Sequence, residues 1–276
     1  MTGWPTTSRS LAAMAAGFEL ICEVEPATKP DLTRVRHQIG VLSQVASGFL
    51  IPDNHIGRAT VSSIAVAHEV ALMGGRSIAC LNARDRNVLG FRRDLLTASA
   101  YGVREFLFVY GDRPETGSRS DDLTVRSMLA EARTFSDAVG QPFRVGVATG
   151  LRPLPQWKRE ADFLFVQISF DVDALLAWRE TVETDGPVYA GVMVVASAGM
   201  AAKLNATIPE LGVPAAVVER LEHDRMAGVE LACETVERIR ESGAFDGVHL
   251  VPVARYREVA ARLERSLGEL PGQRPG

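Results

Sequence analysis

The stretch from Arg104 to Pro114, REFLFVYGDRP, decides how the rest of the chain is interpreted. Its apolar run, Phe106 to Val109, ends in Tyr110-Gly111-Asp112, so a carboxylate follows a glycine where a buried strand should emerge. An apolar run of this length between turn residues is typical of a strand covered on both faces. The Gly-Asp-Arg-Pro segment is also compatible with a plain turn, because its residues are common in turns. Asp112 is the first candidate functional residue.

Strand-like and helix-like segments alternate on both sides of this stretch. Eight apolar segments predict strands, and each is followed by at least one segment with the apolar spacing of a helix. The predicted strands are Phe18 to Glu25, Gly48 to Ile51, Ser77 to Leu81, the stretch from Arg104, Phe143 to Ala148, Phe163 to Ser169, Val188 to Val195, and Gly247 to Val251. Repeated strand–helix units imply parallel strands, and eight of them fit a closed barrel.

The helical segments and their connections indicate a single domain. Helices are predicted at Leu32 to Val45, Val61 to Met73, Val88 to Tyr101, Leu123 to Val139, Leu154 to Glu160, Val172 to Val182, from Ala198, Val213 to Ser242, and Val253 to Leu267. We predict an α/β fold: a single-domain (β/α)8 TIM barrel over residues 18–276, with residues 1–17 as a short segment that closes the bottom. The competing open, doubly wound sheet would more often carry a glycine-rich loop after its first strand, where this chain has Glu25-Pro26-Ala27-Thr28.

Composition excludes some classes of partner. The net charge of −4, without a basic stripe in any segment, argues against nucleic acid. No apolar run is long enough to cross a membrane. The three cysteines, Cys22, Cys80 and Cys233, lack metal-ligand spacing and leave one unpaired in any disulfide scheme. A reducing, cytoplasmic location is the simplest explanation.

In a barrel of this kind, the residues just after each strand share one mouth. They are rich in carboxylates and amides and include no histidine except His55. They are Glu23, Glu25, Asp53, Asn54, Asn82, Arg84, Asp85, Arg86, Asn87, Asp112, Thr149, Gln167, Asp171, Ser197 and Arg255. The absence of a His or Cys cluster argues against a transition-metal site, and the absence of a Ser–His or Cys–His pair argues against covalent hydrolysis. Acid–base chemistry by carboxylates remains, with amides and arginines orienting a polar ring.

Glu23 is the best candidate acid, because it lies between Cys22 and Val24 in an apolar strand that favours a protonated carboxyl group. Alternation alone does not choose among Glu19, Glu23 and Glu25, which all point the same way along an ideal strand. Arg84 and Arg86 offer two interpretations equally. They could contact a phosphate or a glutamate tail, or they could pair with Asp85 and Asp94.

Several motifs, in this order, resemble the methylenetetrahydrofolate reductases. They are Cys22-Glu23-Val24-Glu25-Pro26, Ile51-Pro52-Asp53-Asn54, Ala83-Arg84-Asp85-Arg86-Asn87, Asp94-Leu95-Leu96, Gly111-Asp112 and Gln167-Ile168-Ser169-Phe170-Asp171. The resemblance runs from about Phe18 to Arg255. Members of that family are eight-stranded barrels, in agreement with the fold predicted from the residues.

The resemblance implies roles for individual residues. Glu23 matches the acid that helps to protonate the folate as its five-membered ring opens to an iminium ion. Asp112 matches the aspartate that binds the pterin and favours the cation, and Gln167 matches the glutamine that hydrogen-bonds the pterin. The remaining assignments are to the folate substrate, Asp53, Asn54, Asn82, Arg84 and Ser197, and to the cofactor, Tyr110, Ala148, Thr149 and Arg255.

The chain departs from the family pattern where flavin contacts are expected. Tyr110 stands where a typical member has Arg before Gly-Asp. The family's third-strand histidine falls near Cys80, and its fifth-strand tyrosine falls near Ala148. The aromatic residue that often follows the seventh strand is replaced by small residues around Ser197. We therefore predict that NADH or NADPH passes hydride directly to the folate without tightly held flavin; the alternative is that FAD binds through different contacts.

Two other functions compete with a reductase. The chain could be a folate-binding or accessory protein that has lost the activity, although simple pterin binding does not need the acid Glu23. It could also be a lyase or aldolase, which would be favoured by a Schiff-base lysine at a strand end. The only lysines are Lys29, Lys158 and Lys203, none of them within a predicted strand.

Overall fold

The computed structural model describes residues 17–208 and 211–268, and in them eight parallel strands close into a barrel in sequence order. The strands are β1 (Glu19–Glu23), β2 (Gly48–Ile51), β3 (Ser77–Asn82), β4 (Glu105–Val109), β5 (Arg144–Thr149), β6 (Phe163–Ile168), β7 (Val188–Met193) and β8 (Gly247–Val251). The barrel closes where β1 pairs with β8, with Ile21 opposite His249. The predicted (β/α)8 barrel is confirmed.

Helices surround the barrel and cover its outer face. They are α1 (Thr33–Leu42), α2 (Ser63–Leu72), α3 (Val88–Ala100), α4 (Val125–Val139), α5 (Val172–Glu180), α6 (Ala198–Thr207), α7 (Ala215–His223), α8 (Ala227–Ser242) and α9 (Tyr256–Gly268). Short 3₁₀ turns lie at His55–Gly57, Gln156–Glu160 and Val253–Arg255. The segment predicted to close the bottom, residues 1–17, lies outside the described residues except for Gly17.

The long helical region predicted from Val213 to Ser242 is divided in two. The structure has two helices there, α7 and α8, separated at Asp224, whose backbone is extended. Gly228 lies in the first turn of α8. A Cβ at Gly228 would lie 1.9 Å from the carbonyl oxygen of Val195, so α8 packs closer to the end of β7 than any larger residue allows.

Side chains alternate between the barrel interior and the helix layer. Leu20 and Cys22 on β1, and Val24 just after it, join the apolar layer beneath the helices, whereas Ile21 points into the barrel. The interior is packed with Ile21, Leu50, Ile78, Cys80, Leu107, Phe163, Phe165 and Tyr189. The barrel is therefore filled and is not a pore.

The amino-terminal end of the barrel is closed by an ionic cluster. Arg76 donates to Glu105 through Nε at 2.8 Å and to Glu19 through Nη1 at 2.6 Å, and the Tyr189 hydroxyl also bonds to Glu19. Burial opposes the charge of Arg76, but the hydrogen bonds and charges of Glu105 and Glu19 outweigh burial and raise its pKa. Glu19 is therefore bonded to Arg76 and Tyr189 at the floor of the barrel, at the opposite end from the residues that follow the carboxyl ends of the strands.

Candidate active site

The carboxyl end of β1 places Glu23 inside the barrel mouth. By alternation, Glu23 follows Ile21 toward the interior, and its side chain is 14% exposed. Glu25 lies beyond the strand, exposed, and pairs with Arg34 at 2.6 Å. The structure therefore distinguishes three glutamates that the sequence pattern left equivalent: Glu19 at the floor, Glu23 at the mouth and Glu25 on the surface.

The immediate surroundings of Glu23 differ from those that the sequence suggested. Cys22 and Val24 face the helices and do not surround its carboxyl group. Glu23 instead faces His249 of β8, with 3.2 Å between Glu23 Oε2 and His249 Nε2. Because the two atoms are close but not aligned as a hydrogen bond, the buried Nε2 has no hydrogen-bond partner among the described residues.

His249 is the functional candidate that the sequence analysis missed, because that analysis considered the residues just after each strand, where His55 is the only histidine. The imidazole stacks on Phe165 with 5.2 Å between ring centroids, and its side chain is 12% exposed. Alternation could have identified it, since Gly247 and His249 lie in a predicted strand and share one face. His55 is exposed, in the 3₁₀ turn after β2.

Cys80 on β3 also faces the interior near Glu23. Burial raises the pKa of its thiol well above the ordinary value, and the charges of Glu23 and Asp53 raise it further. A thiol in this setting stays protonated and is a poor nucleophile. All three cysteines are free and buried.

The loops after β2 and β3 are joined by a hydrogen-bonded network around Asp53 and Asn82. Asp53 Oδ2 accepts from the Asn82 backbone N–H at 3.0 Å and from Asn82 Nδ2 at 2.8 Å, and it also pairs with Arg86. Asn82 Nδ2 and Asn54 Nδ2 both donate to Asp85 at 2.9 Å. The predicted substrate residues Asp53, Asn54 and Asn82 are brought together, but their polar atoms are largely used on each other.

Arg84 and Arg86, which the sequence left equivalent, have different environments. Arg86 pairs with Asp53 and donates to Asp94 at 2.8 Å, so it is a structural ion pair. Burial opposes its charge, but Asp53 and Asp94 outweigh burial and raise its pKa. Arg84 lies over the ring of Tyr110 at 5.1 Å, and its buried Nε and Nη1 have no hydrogen-bond partner among the described residues. Arg84 is therefore the arginine left unpaired at the rim.

Asp112 holds the loop after β2 against the loop after β4. Its Oδ2 accepts the backbone N–H of Ile56 at 2.9 Å. Ile56 has a φ of +58°, which is rare for a β-branched residue. Gly111, before the carboxylate, has a φ of +96°, and a Cβ there would lie 2.9 Å from Asn82 Cβ. The Gly-Asp motif thus fits a close approach between two loops as well as placing a carboxylate at the mouth.

Gln167 lies at the carboxyl end of β6 and is exposed. The pairing of β6 with β7 is irregular between Phe165 and Ile168. A Cβ at Gly191 of β7 would lie 2.6 Å from the Val166 carbonyl oxygen and 2.9 Å from the Gln167 carbonyl carbon. The irregular strand end, which presents Gln167 to the mouth, therefore depends on the glycine opposite.

The side chains of the remaining predicted residues form hydrogen bonds with other protein groups. Thr149 Oγ1 donates to the Gly150 carbonyl at 3.3 Å, and Ser197 caps α6 by accepting from the Met200 N–H at 3.2 Å. Arg255 donates to Glu258 at 2.9 Å. Tyr110 is 46% exposed and accepts from Arg119 at 3.0 Å. Their assignments to substrate and cofactor stay predictions.

One lysine approaches a strand end, although none lies in a strand. Lys158 Nζ donates to the Ala148 carbonyl of β5 at 2.6 Å, and burial lowers the pKa of this amine.

Among the described residues, no group of three or more His, Cys, Asp or Glu side chains could hold a metal ion. Within the same residues, none of the helices has the length and apolar character needed to span a membrane.

The fold and site together define a class: a (β/α)8 barrel with a carboxylate, an imidazole and an amide at the carboxyl ends of its strands. Residues 156–266 match the methylenetetrahydrofolate reductase family. The match covers less than half of the chain and includes Gln167 and His249. The resemblance indicated by the sequence motifs is thereby supported over residues 156–266, which are similar to the methylenetetrahydrofolate reductases.

Solved structures share the fold at low sequence identity. An uncharacterized protein from Clostridium thermocellum, described as binding two copies of 5-methyl-5,6,7,8-tetrahydrofolic acid, is 11% identical, with a TM-score of 0.60 over 93% of this chain and 99% of that chain. Concanavalin B is 12% identical, with a TM-score of 0.52 over 91% of this chain and 99% of its own. At such identities the likeness is one of fold alone. A comparison with curated protein sequences gave no match.

Proposed function

We propose that the protein reduces 5,10-methylenetetrahydrofolate to 5-methyltetrahydrofolate, with NADH or NADPH as the reductant. The observation that carries the proposal is the position of Glu23, which the barrel holds inward at its mouth in a chain related to this family. A binding protein for folates does not need a carboxyl group held inside the barrel against a histidine. The fold neighbour that binds 5-methyltetrahydrofolate is consistent with a folate ligand.

The first chemical step is opening of the five-membered ring of the substrate. Glu23 gives a proton to N10 as the bond between N10 and the bridging carbon breaks, which leaves an iminium cation at N5. A carboxylate nearby stabilises such a cation, and the family resemblance assigns this role to Asp112. The resemblance likewise assigns to Gln167 a hydrogen bond with the pterin, and its exposed amide at the end of β6 is available for one.

The second step is transfer of hydride to the iminium carbon, which becomes a methyl group. We tested whether the described residues fit a flavin for this step. Tyr110 occupies the position of the family's flavin-contacting arginine, and the Thr149 hydroxyl and the Ser197 side chain are engaged within their own loops. These residues do not fit the family's flavin contacts, so we derive no step through FAD. We propose that reduced nicotinamide delivers hydride directly.

Arg84 is the rim residue that we assign to an anionic group of the ligands. A guanidinium with buried, unpartnered Nε and Nη1 is costly unless a partner arrives, and both the folate glutamate tail and the dinucleotide phosphates carry suitable oxygens. Arg86 is not available for this role, because Asp53 and Asp94 already occupy it.

Oxidation of NADH and of NADPH by the purified protein, with methylenetetrahydrofolate and no added flavin, tests the proposal. The visible spectrum of the same sample shows whether flavin is present. We expect folate-dependent oxidation by a colourless protein. The absence of oxidation with both nucleotides, even after addition of FAD, would favour the alternative of a folate-binding protein that has lost the reaction.

A further inference from the structure

We infer that His249 returns to Glu23 the proton that each turnover consumes. This inference rests on the proposed function and adds a residue to it. Reduction of methylenetetrahydrofolate by a dihydronicotinamide consumes one proton: hydride forms the methyl group, the nicotinamide becomes oxidised, and N10 gains a proton. Glu23 is left as a carboxylate and must be protonated again before the next ring opening.

The position of Glu23 limits how that proton can reach it. Its side chain points into the barrel and is 14% exposed, with the folate expected to cover the mouth during the reaction. The group that faces Glu23 Oε2 is His249 Nε2, 3.2 Å away. Histidine is a common proton shuttle, because each of its two ring nitrogens can carry a proton.

The surroundings of His249 hold the ring in place without using Nε2. Phe165 stacks on the imidazole at 5.2 Å between centroids, and Nε2 has no hydrogen-bond partner among the described residues. Cys80, which lies near Glu23, stays protonated, and Asp53, which also lies near Cys80, is paired with Arg86. Tyr189, also next to Phe165, is bonded to Glu19 at the barrel floor. His249 is therefore the group positioned to give Glu23 a proton.

Reprotonation of Glu23 by His249 is balanced in protons and needs no reactant other than water. Protonated His249 gives the proton on Nε2 to the Glu23 carboxylate and keeps the proton on Nδ1. Once the product has left the mouth, Nε2 regains a proton from water. Because 3.2 Å already lies at the upper end of hydrogen-bond distances, a small rotation of either side chain that aligns the two atoms completes the path.

The test compares His249→Gln with the wild type and with His223→Gln, a control at an exposed histidine at the end of α7. We expect kcat of His249→Gln to fall increasingly with pH, from about threefold at pH 6 to about thirtyfold or more at pH 8.5, because the carboxylate then depends on scarce solvent protons. KM should stay within about threefold. In His249→Ala, added imidazole should restore part of kcat. A loss of kcat that is the same at every pH, without rescue by imidazole, would assign His249 a structural role only.

A second readout needs no catalysis and separates this inference from the proposed function. In ¹⁵N NMR spectra of the ligand-free protein, the His249 signals are those missing from His249→Gln. We expect Glu23→Gln to move the His249 Nε2 signal and to leave the His223 signals in place. If the His249 signal does not respond to Glu23→Gln, the two groups are not coupled and the inference fails, whether or not the protein reduces folate.

Discussion

At the scale of single residues, Glu23 is the group on which the proposed chemistry depends most. The barrel points its carboxyl group inward, beside His249 and near Cys80, while Glu19 and Glu25 are used elsewhere. The sequence analysis chose Glu23 because of its neighbours Cys22 and Val24, but these two residues pack against the helices and do not surround its carboxyl group. What surrounds Glu23 is set by β3 and β8, which lie far from it in the sequence.

We expect Glu23→Gln to bind folate with nearly unchanged affinity and to lower kcat about a hundredfold or more, since glutamine keeps the shape and cannot give a proton. Fluorescence titration with 5-methyltetrahydrofolate and steady-state kinetics measure the two effects. Glu25→Gln is the matched control, because Glu25 is exposed and paired with Arg34. Unchanged turnover in Glu23→Gln would remove Glu23 from the mechanism.

Arg84→Met should weaken the binding of one ligand about tenfold or more, since a hydrogen bond to a charged group contributes roughly 1.5 to 3 kcal/mol. Separate titrations with folate monoglutamate and with NADH show which ligand carries the anionic group. Arg92→Met is the control, because Arg92 is exposed and paired with Glu131. Equal affinities of Arg84→Met and the wild type for both ligands would contradict the assignment.

The sequence predicted which types of residue lie at the mouth. It did not predict which of their side chains are already hydrogen-bonded to other protein groups. Asp53, Asn54 and Asn82 were predicted for the substrate, yet they bond to each other, to Asp85 and to Arg86. That outcome depends on distances between loops of different strands, which no local pattern contains. His249 was missed because attention went to residues after each strand, although its place within β8 was predictable from alternation.

At the scale of elements, the loops after β2, β3 and β4 form one connected rim. Asp53 and Arg86 join the first two loops, and Asp112 joins the first to the third through Ile56. The Asp53 and Arg86 side chains are only 5% and 12% exposed. Removing one partner of such a pair leaves the other charge buried.

Arg86→Met should therefore lower the free energy of unfolding by about 3 to 5 kcal/mol, as measured by urea denaturation. The exposed pair of Arg92 and Glu131 provides the comparison, since Arg92→Met should cost less than about 1 kcal/mol. If both substitutions had the same small effect, the rim network would not be a source of stability.

The end of β6 depends on its neighbour in the same way. Gly191→Ala would place a methyl group 2.6 Å from the Val166 carbonyl oxygen, so the strand end that presents Gln167 must shift. We expect a lower melting temperature and about a tenfold or greater loss of folate affinity, in line with the sensitivity of sites to displacements of about 1 Å. Gly199→Ala is the control, because its nearest neighbour would be 3.9 Å away. Full folate affinity in Gly191→Ala would show that Gln167 does not depend on this strand end.

Most elements were predictable because their signals are local. Apolar runs marked the strands, and glycines marked the ends of several helices. Together these signals predicted the bounds of all eight strands to within two residues. The break between α7 and α8 at Asp224 was not predictable from periodicity, and neither was the close contact of Gly228 with the carbonyl oxygen of Val195. Long-range contacts of this kind decide where a helical pattern is interrupted.

At the scale of the whole molecule, the barrel brings distant parts of the chain to one mouth. Glu23 from β1 meets His249 from β8 because the barrel closes between these strands, with Ile21 opposite His249. Gln167 reaches the same end from β6. The count of eight strand–helix units predicted this closure, whereas the contacts across the mouth required the structure.

The central claim is that reduced nicotinamide gives its hydride directly to the folate. The most direct test is a reaction with NADH or NADPH that carries deuterium at the transferred position of C4, followed by mass spectrometry of the methyl group. We predict that the methyl group of the product retains one deuterium in ordinary water. A bound flavin would hold the transferred hydrogen on a nitrogen that exchanges with water. A product without deuterium, from a protein that shows flavin absorbance, would contradict direct transfer.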